Sequence, residues 1–274
     1  MPLNMKKTIA KGHFEKFNLR AENLDDKVRT IRVYLPPDYE KSTKRYPVLY
    51  MHDGQNLFFN KHTNFKVGAW RVHAALDHFF HEGLITGFIV VGLDSSAVDR
   101  SREMSFFPVK KRFLPTKPQP IEGQQYSDFI TKTLKNYIDS HYRTLQDTSY
   151  IGGSSMGGIA SLVMALNHPT LFKGALCFTP AGMIHYQIDL KDFFDTRLNE
   201  MKAKQITLPK LYFMVGGIGL ETIIKPFCDW TVPYLVAQGY EYGKNITYLY
   251  KPKAVHNEKA WEKVFPSAFM WMIN

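Results

Sequence analysis

Two adjacent serines lie among four glycines in residues 148–162, TSYIGGSSMGGIASL. The stretch follows a short apolar run and precedes a segment with helical spacing, which predicts a strand, a tight turn and a helix. A serine held in such a turn presents its hydroxyl above a sheet, where the oxygen can attack a carbonyl carbon. We therefore expect nucleophilic chemistry from one of these two serines.

The glycine spacing distinguishes the two serines. Strand and helix pass close together at this kind of turn, so the residues two before and two after the nucleophile have to be small. Centring on Ser155 places Gly153 and Gly157 at those positions. Centring on Ser154 places Met156 at one of them, where a long side chain should clash. The sequence therefore predicts Ser155 as the nucleophile.

Other glycine-rich motifs fit this stretch less well. A phosphate-binding loop requires Gly-Lys-Ser/Thr, and no lysine follows these glycines. A dinucleotide-binding loop requires Gly-x-Gly-x-x-Gly, which no register of the stretch supplies. The remaining alternative is a strand-to-helix turn without chemistry.

A serine hydroxyl needs a base, which in turn is oriented by an acid, and in hydrolases with this turn the chain order is serine, acid, histidine. His256 follows the last predicted strand and precedes the last predicted helix, for which Asn257 is a suitable N-cap. Four other histidines fit less well. His141 and His168 lie near helix ends, and two more lie out of order or in an insertion: His52 and His185.

The acid should follow the strand that precedes the histidine strand. Glu221 is the first carboxylate after the apolar run 211–215, and a glycine-rich turn joins the two. The alternative is that Glu221 is only a charge at a helix start, and Asp229 lies farther along the same helix. Three other carboxylates precede the strand: Asp189, Asp192 and Asp195.

Acyl chemistry also requires backbone donors for the oxyanion. One is expected from the N–H of Met156, directly after the nucleophile. The other should come from the loop YMHDGQNLF, from the N–H of Gly54 or Gln55. The alternative is that this loop is simply a polar turn.

Strands and helices that must position these groups alternate along the chain, which predicts parallel pairing through helical crossovers in one layered α/β domain, residues 1–274. The first two predicted strands have no helix between them, so we expect an antiparallel N-terminal edge. Two insertions, 94–123 and 181–207, follow strands and should contribute to the site. The strands are predicted at 28–35, 47–51, 87–93, 149–151, 174–178, 208–215 and 246–250. The helices are predicted at 69–81, 124–142, 156–167 and 258–272, with another ending near Gln238.

Composition excludes several classes of protein. Cys177 and Cys228 lie in apolar contexts and offer neither a disulfide framework nor zinc spacing, so we expect no metal and no cofactor. The net charge of +10 comes from basic residues that are scattered rather than arranged in a stripe with aromatic residues, so we expect no nucleic-acid partner. Without a signal-peptide core or a membrane span, we expect a cytoplasmic protein. The sequence leaves open whether the chain forms a homo-oligomer.

Five segments resemble, in order, the putative esterase family of α/β-hydrolases: RYPVLYMHDGQNLF, GFIVVGLDSSAVDRSREMSFFP, YIGGSSMGGIASL, GGIGLE and VHNEKAW. The resemblance implies the α/β-hydrolase fold, with a mostly parallel sheet and helices on both faces. It also implies a catalytic set of Ser155, Glu221 and His256, and it places Arg100 and Glu103 near the site as substrate-binding candidates or as an ion pair that braces the loop.

These features predict a serine carboxylesterase that hydrolyses small, aryl or sugar esters through an acyl-enzyme. An acyltransferase using the same site is the alternative, and a non-catalytic binding protein is the third. Phe107, with Phe106 and Phe113, lies beside the basic run 110–112, which suggests an aromatic or acidic acyl group if this loop overhangs the pocket. The alternative is that these phenylalanines pack the loop down.

Overall fold

Eight strands form one sheet in the computed structural model, in the order β1-β2-β4-β3-β5-β6-β7-β8. The structure describes residues 11–22, 24, 27–63, 68–113 and 120–274, so residues 1–10 and part of the 94–123 insertion lie outside it. The strands are β1 His13–Ala21, β2 Lys27–Leu35, β3 Tyr46–His52, β4 Ile89–Leu93, β5 Thr144–Ser154, β6 Phe172–Phe178, β7 Lys210–Gly216 and β8 Ile246–Lys251.

The sheet is antiparallel at one edge and parallel elsewhere. β2 pairs antiparallel with both β1 and β4, and every pair from β4–β3 through β7–β8 is parallel. The expected antiparallel N-terminal edge is confirmed. The pairing predicted within it was wrong, because the strands expected at 28–35 and 47–51 are not neighbours. β2 lies between β1 and β4 and does not pair with β3, and β1 escaped detection because most of its side chains are at least partly exposed. The predicted α/β-hydrolase fold is confirmed.

Helices occupy the connections between the parallel strands. No helix was predicted within the insertion 181–207, but α6, Gln187–Ala203, fills most of it and buries only Leu190, Phe194, Leu198 and Met201. Its other residues are largely polar, so the segment lacks the broad apolar stripe of a typical core helix. The helices are α1 Val72–His81, α2 Arg100–Glu103, α3 Gly123–Asp128, α4 Lys135–His141, α5 Met156–Asn167, α6 Gln187–Ala203, α7 Glu221–Ala237 and α8 Glu258–Ile273, with a π-helical segment, Phe129–Leu134, between α3 and α4.

Two apolar cores lie on opposite faces of the sheet. Alternate residues of β3 enter different cores: Val48 and Tyr50 pack in one, Leu49 and Met51 in the other. This alternation follows from the period of two along a strand. Helices α5, α6 and α7 cover the first face, whereas α1 and α8 cover the second.

The carboxyl ends of the parallel strands meet at one edge of the sheet, where α/β proteins build their sites. Ser155 follows β5, Glu221 follows β7 after a short turn, and His256 follows β8. The loops after β3 and β4 reach the same edge. Within the described ranges, no helix combines the length and hydropathy needed to cross a membrane.

Candidate active site

Ser155 occupies a strained turn between β5 and α5. Its φ of 56° and ψ of −119° lie in a region that non-glycine residues rarely adopt. Two backbone hydrogen bonds hold this conformation: the Ser155 N–H donates to the Phe178 carbonyl, and the Ser155 carbonyl accepts from the Ala181 N–H, both at 3.0 Å. Ser154, by contrast, is the last residue of β5.

His52 explains why the residues around the turn are small. A Cβ atom at Gly153 would lie 2.9 Å from His52 Cδ2, and one at Gly157 would lie 3.0 Å from His52 Cβ. The imidazole therefore fills the space beneath the turn, with its Nδ1 atom 2.8 Å from the Tyr126 hydroxyl. Any larger residue at either glycine would displace the ring or the turn.

Glu221 and His256 form a direct hydrogen bond. His256 Nδ1 lies 2.9 Å from Glu221 Oε1, and the other carboxylate oxygen accepts from the Gly216 N–H at 2.7 Å. Glu221 is fully buried, so this carboxylate is held by two directed contacts away from water. A carboxylate on Nδ1 orients the ring and leaves Nε2 available to accept a proton.

The loop that carries His256 is fixed on both sides. Asn257 caps α8, as the sequence predicts, by accepting a hydrogen bond from the Ala260 N–H at 2.9 Å. Trp261 packs edge-on against the imidazole, with ring centroids 5.1 Å apart. The indole is 4% exposed, so its packing helps to hold this loop in place.

Ser155 and His256 line the same cavity, which has a volume of about 630 Å³. Its other described lining residues come from the loop after β3, the loop after β4, the end of β5 and the start of α8. They are Asp53, Gln55, Asn56, Ser95, Ser96, Ala97, Arg100, Ser154, Asn257, Glu258 and Trp261. The structure thus brings the predicted nucleophile and base to one cavity, with the predicted acid behind the base.

The predicted oxyanion donors come from the start of α5 and from the loop after β3. Met156 is the first residue of α5, whose initial N–H groups have no acceptor within the helix. Gln55 lines the cavity, and its side-chain amide exchanges two hydrogen bonds with Ser95. Gly54 packs against β4 instead, where a Cβ atom would lie 2.6 Å from the Gly92 carbonyl carbon. The cavity position therefore favours Gln55 over Gly54.

Arg100 lines the cavity and binds Asp53 with two parallel hydrogen bonds. Both N–O distances are 2.7 Å, with Nε and Nη2 as the donors. Although burial opposes it, the Arg100 guanidinium lowers the pKa of Asp53, so this carboxylate is ionised. The ion pair places a fixed guanidinium at the cavity wall.

Glu103 and Phe107 do not line this cavity, although both were substrate-binding candidates. Glu103 is 1% exposed and pairs with Arg29 on β2. Phe107 packs against Phe193 and His185, with ring centroids 5.3 and 5.5 Å away. Phe107 therefore packs its loop against the 181–207 insertion, which matches the alternative interpretation of this segment.

Three ion pairs join the segment after β4 to β2. Arg32 binds Asp94 at 2.7 Å, and Lys27 binds Asp99 at 2.8 Å. The Arg29–Glu103 pair adds a third link. Because α2 carries Arg100 between the last two links, Glu103 acts on the cavity indirectly, by bracing the segment that holds the guanidinium.

Sequence reasoning missed several polar residues of the cavity, among them Asp53, Asn56 and Glu258. Glu258 is 4% exposed and accepts a hydrogen bond from Asn56 Nδ2 at 3.1 Å. Burial raises the pKa of this carboxyl group. A signal existed for Asp53 and Asn56, which flank the predicted oxyanion residues in HDGQN, whereas Glu258 resembles an ordinary charge at a helix start.

Comparison with known proteins identifies the family. Residues 22–205 match the sequence profile of the family described as "Putative esterase". The chain therefore belongs to that family, and the resemblance inferred from its motifs is confirmed.

Solved structures share the fold at low sequence identity. The siderophore hydrolase EstA from Aspergillus nidulans superposes with a TM-score of 0.73 at 14% identity, over 98% of this chain and 97% of that one. The feruloyl esterase module from Clostridium thermocellum, solved with sinapinate, gives 0.71 at 15% identity, over 97% and 89%. An IroE-like serine hydrolase from Shewanella oneidensis gives 0.72 at 18%, over 95% and 79%.

Two uncharacterised proteins of Bacillus subtilis (strain 168) are similar in sequence. YbbA is 22% identical over 147 residues, which is 53% of each chain, and YjcH is 27% identical over 157 residues, which is 55% of each. The matched region thus spans about half the length of these curated relatives.

The Arg29–Glu103 pair gives a stability prediction. Glu103→Gln should lower the free energy of unfolding by about 3 kcal/mol, because it leaves the buried Arg29 guanidinium without a counter-charge. Urea unfolding followed by circular dichroism measures the change. Glu262→Gln is the control, since it breaks the more exposed pair with Arg71 and should cost less than about 1 kcal/mol. Equal losses in the two variants would contradict the bracing role of Glu103.

His52 gives a pH prediction. Burial lowers its pKa to about 4, below the unfolded value of about 6.5. The unfolded chain therefore takes up this proton first, and stability is lost as the pH falls from about 6.5 towards about 4. Removing the imidazole in His52→Gln should reduce the stability difference between about pH 7.5 and about pH 5 by about 2 kcal/mol.

Urea unfolding of both proteins at the two pH values tests this effect, and the exposed His78→Gln variant controls for the loss of a histidine. An unchanged pH dependence in His52→Gln would show that the ring is not held neutral beneath the turn.

Proposed function

We propose that this protein is a serine carboxylesterase in which Ser155 is the nucleophile, His256 the base and Glu221 the acid that orients it. One observation carries the proposal: the buried Glu221 carboxylate binds His256 Nδ1 at 2.9 Å, and the same imidazole faces the cavity that holds the strained Ser155 turn. The family assignment supports esterase chemistry in general.

The reaction proceeds through an acyl-enzyme. Ser155 Oγ attacks the ester carbonyl carbon while His256 Nε2 takes the hydroxyl proton, and Glu221 stabilises the resulting imidazolium. The tetrahedral intermediate collapses as His256 returns the proton to the departing alcohol oxygen. A water molecule then repeats the sequence on the acyl carbon and releases the acid together with free Ser155.

The oxyanion of each tetrahedral intermediate needs two donors. We assign the backbone N–H groups of Met156 and Gln55, the first from the start of α5 and the second from the loop after β3. The bonds between the Gln55 side chain and Ser95 fix that loop to the segment after β4. Donors held before the reaction begins stabilise charge without a reorganisation cost.

The cavity favours esters with a polar or aromatic portion, either aryl or sugar esters. Most of its described lining residues have polar side chains, and Trp261 adds an aromatic surface. Arg100 can hydrogen-bond a hydroxyl or carboxylate of the substrate through the nitrogen that Asp53 does not engage. The feruloyl esterase module solved with sinapinate shows that this fold accommodates an aromatic acid.

A panel of acetyl, butyryl, feruloyl and sugar esters, ranked by kcat/KM, tests this preference. Aryl or sugar esters should exceed the simple short-chain esters. Acyl transfer to an alcohol would use the same acyl-enzyme, so product analysis with an added alcohol separates it from hydrolysis.

The location that we propose for the protein is cytoplasmic. Both cysteines, Cys177 and Cys228, are free and buried.

Loss of the nucleophile should abolish the reaction. Ser155→Ala should lower kcat for p-nitrophenyl acetate at least ~10³-fold, because no covalent intermediate can form. Ser154→Ala tests the register and should cost less than about tenfold, since its hydroxyl is not presented by the turn. Near-normal turnover by Ser155→Ala, or a larger loss in Ser154→Ala, would reject the assignment.

The two candidate acids on α7 give a matched pair. Glu221→Gln should lower kcat by about 10²- to 10⁴-fold, because the amide no longer stabilises the imidazolium. Asp229→Asn should change kcat less than about threefold, since Asp229 binds Lys225 and Tyr248 instead. Equal activities of the two variants would remove Glu221 from the proposed mechanism.

A further inference from the structure

A second cavity lies on the other side of the segment that carries His256. It has a volume of about 630 Å³, and its described lining residues all belong to the β8–α8 region, from Lys251 to Val264. Asn257 lines both this cavity and the one that holds Ser155. A ligand bound here would therefore contact the loop that leads into the proposed base.

Basic residues dominate the polar part of this wall. Four of the ten described lining residues are lysines, and none of these ten is acidic: the lysines are Lys251, Lys253, Lys259 and Lys263. We call these four residues the lysine cluster. Such a concentration of one charge sign around a concave surface raises the local concentration of anions.

The lysine cluster has no acidic partners within the described part of the chain. Six lysines elsewhere do form ion pairs with a carboxylate: Lys27, Lys44, Lys132, Lys135, Lys225 and Lys244. The nearby carboxylates are engaged otherwise, since Glu258 binds Asn56 and Glu262 binds Arg71. The described residues therefore form no ion pair with the positive charges at this cavity.

Two members of the cluster lie where positive charge is unfavourable for the helix. Lys259 is the second residue of α8, at the positive end of the helix dipole. Lys263 follows four residues later on the same helix face, so the two ammonium groups repel each other. A bound anion would relieve both repulsions, and free N–H groups at the start of a helix add to its attraction for anions.

The remaining wall is mainly apolar. Ala254, Val255, Ala260 and Val264 contribute side chains without hydrogen-bonding groups. A bare inorganic anion would leave this part of the wall uncovered. The combination fits a ligand that carries its charge on an apolar body.

We propose that the lysine-lined cavity binds a small organic phosphate, whose phosphoryl group meets the lysine cluster and whose apolar body covers the alanine and valine side chains. A phosphate monoester carries nearly two negative charges near neutral pH, which suits several converging ammonium groups. The proposal concerns binding alone and does not depend on the esterase mechanism.

Isothermal titration of the Ser155→Ala protein with phenyl phosphate tests the proposal. We expect one site, an affinity that falls as salt rises, and binding at least ~10-fold weaker in a Lys253→Gln/Lys259→Gln variant. The control is Lys202→Gln/Lys204→Gln, which removes the same charge from the exposed end of α6 and should bind normally. Lys263→Gln provides a second, milder variant that should also weaken binding.

Two further ligands test separately whether the apolar body and the phosphoryl group of phenyl phosphate contribute to binding. Inorganic phosphate should bind more weakly than phenyl phosphate, because it lacks the apolar body. Phthalate, an aromatic dicarboxylate, should also bind more weakly, because its charge is spread over two groups. Equal weakening in the two double variants, tighter binding of either comparison ligand, or no binding of phenyl phosphate at about 10 mM would overturn the proposal.

Discussion

The close passage of β5 and α5 over His52 is the constraint on which the candidate site depends. The turn between them holds Ser155 at a positive φ, and the imidazole beneath leaves no room for side chains at Gly153 or Gly157. Backbone hydrogen bonds with Phe178 and Ala181 fasten the turn to the end of β6 and to the loop that follows it. The neighbouring strands therefore share in maintaining this local strain, which a turn exposed to solvent could not retain.

The sheet supports this turn from both faces. Parallel strands are buried on both sides by helices, so the strand ends are anchored by two apolar cores rather than one. This rigidity allows loops from distant parts of the chain to meet with defined geometry. Ser155, Glu221 and His256 each begin or precede a helix at the same edge, yet they are up to 101 residues apart in the sequence.

Charged groups around the cavity are held in pairs, and further ion pairs behind them hold the segment that carries Arg100. Asp53 and Arg100 form a bidentate pair at the wall, and ion pairs from β2 hold the segment that carries the arginine. Glu258 and Asn56 add a second polar contact between two residues that line the cavity. Burying such groups is unfavourable unless each has a partner, so the network stays ordered as a unit. The lysine-lined cavity differs because its charges lack such partners.

Local spacing in the sequence was sufficient to predict the Ser155 turn, the bounds of α5, the cap at Asn257 and the alternation of strands and helices, because each of these depends on residues within a few positions. The positions of His256 and Glu221 also followed from chain order, but their hydrogen bond required the strand order that brings β7 beside β8. Only the tertiary structure could show that β2 pairs with β1 and β4, or that Glu103 pairs with Arg29. Those choices rest on long-range packing and on the burial of charge, which no local pattern encodes. The same reason explains why Phe107 packs against the 181–207 insertion and why Glu258 lines the cavity.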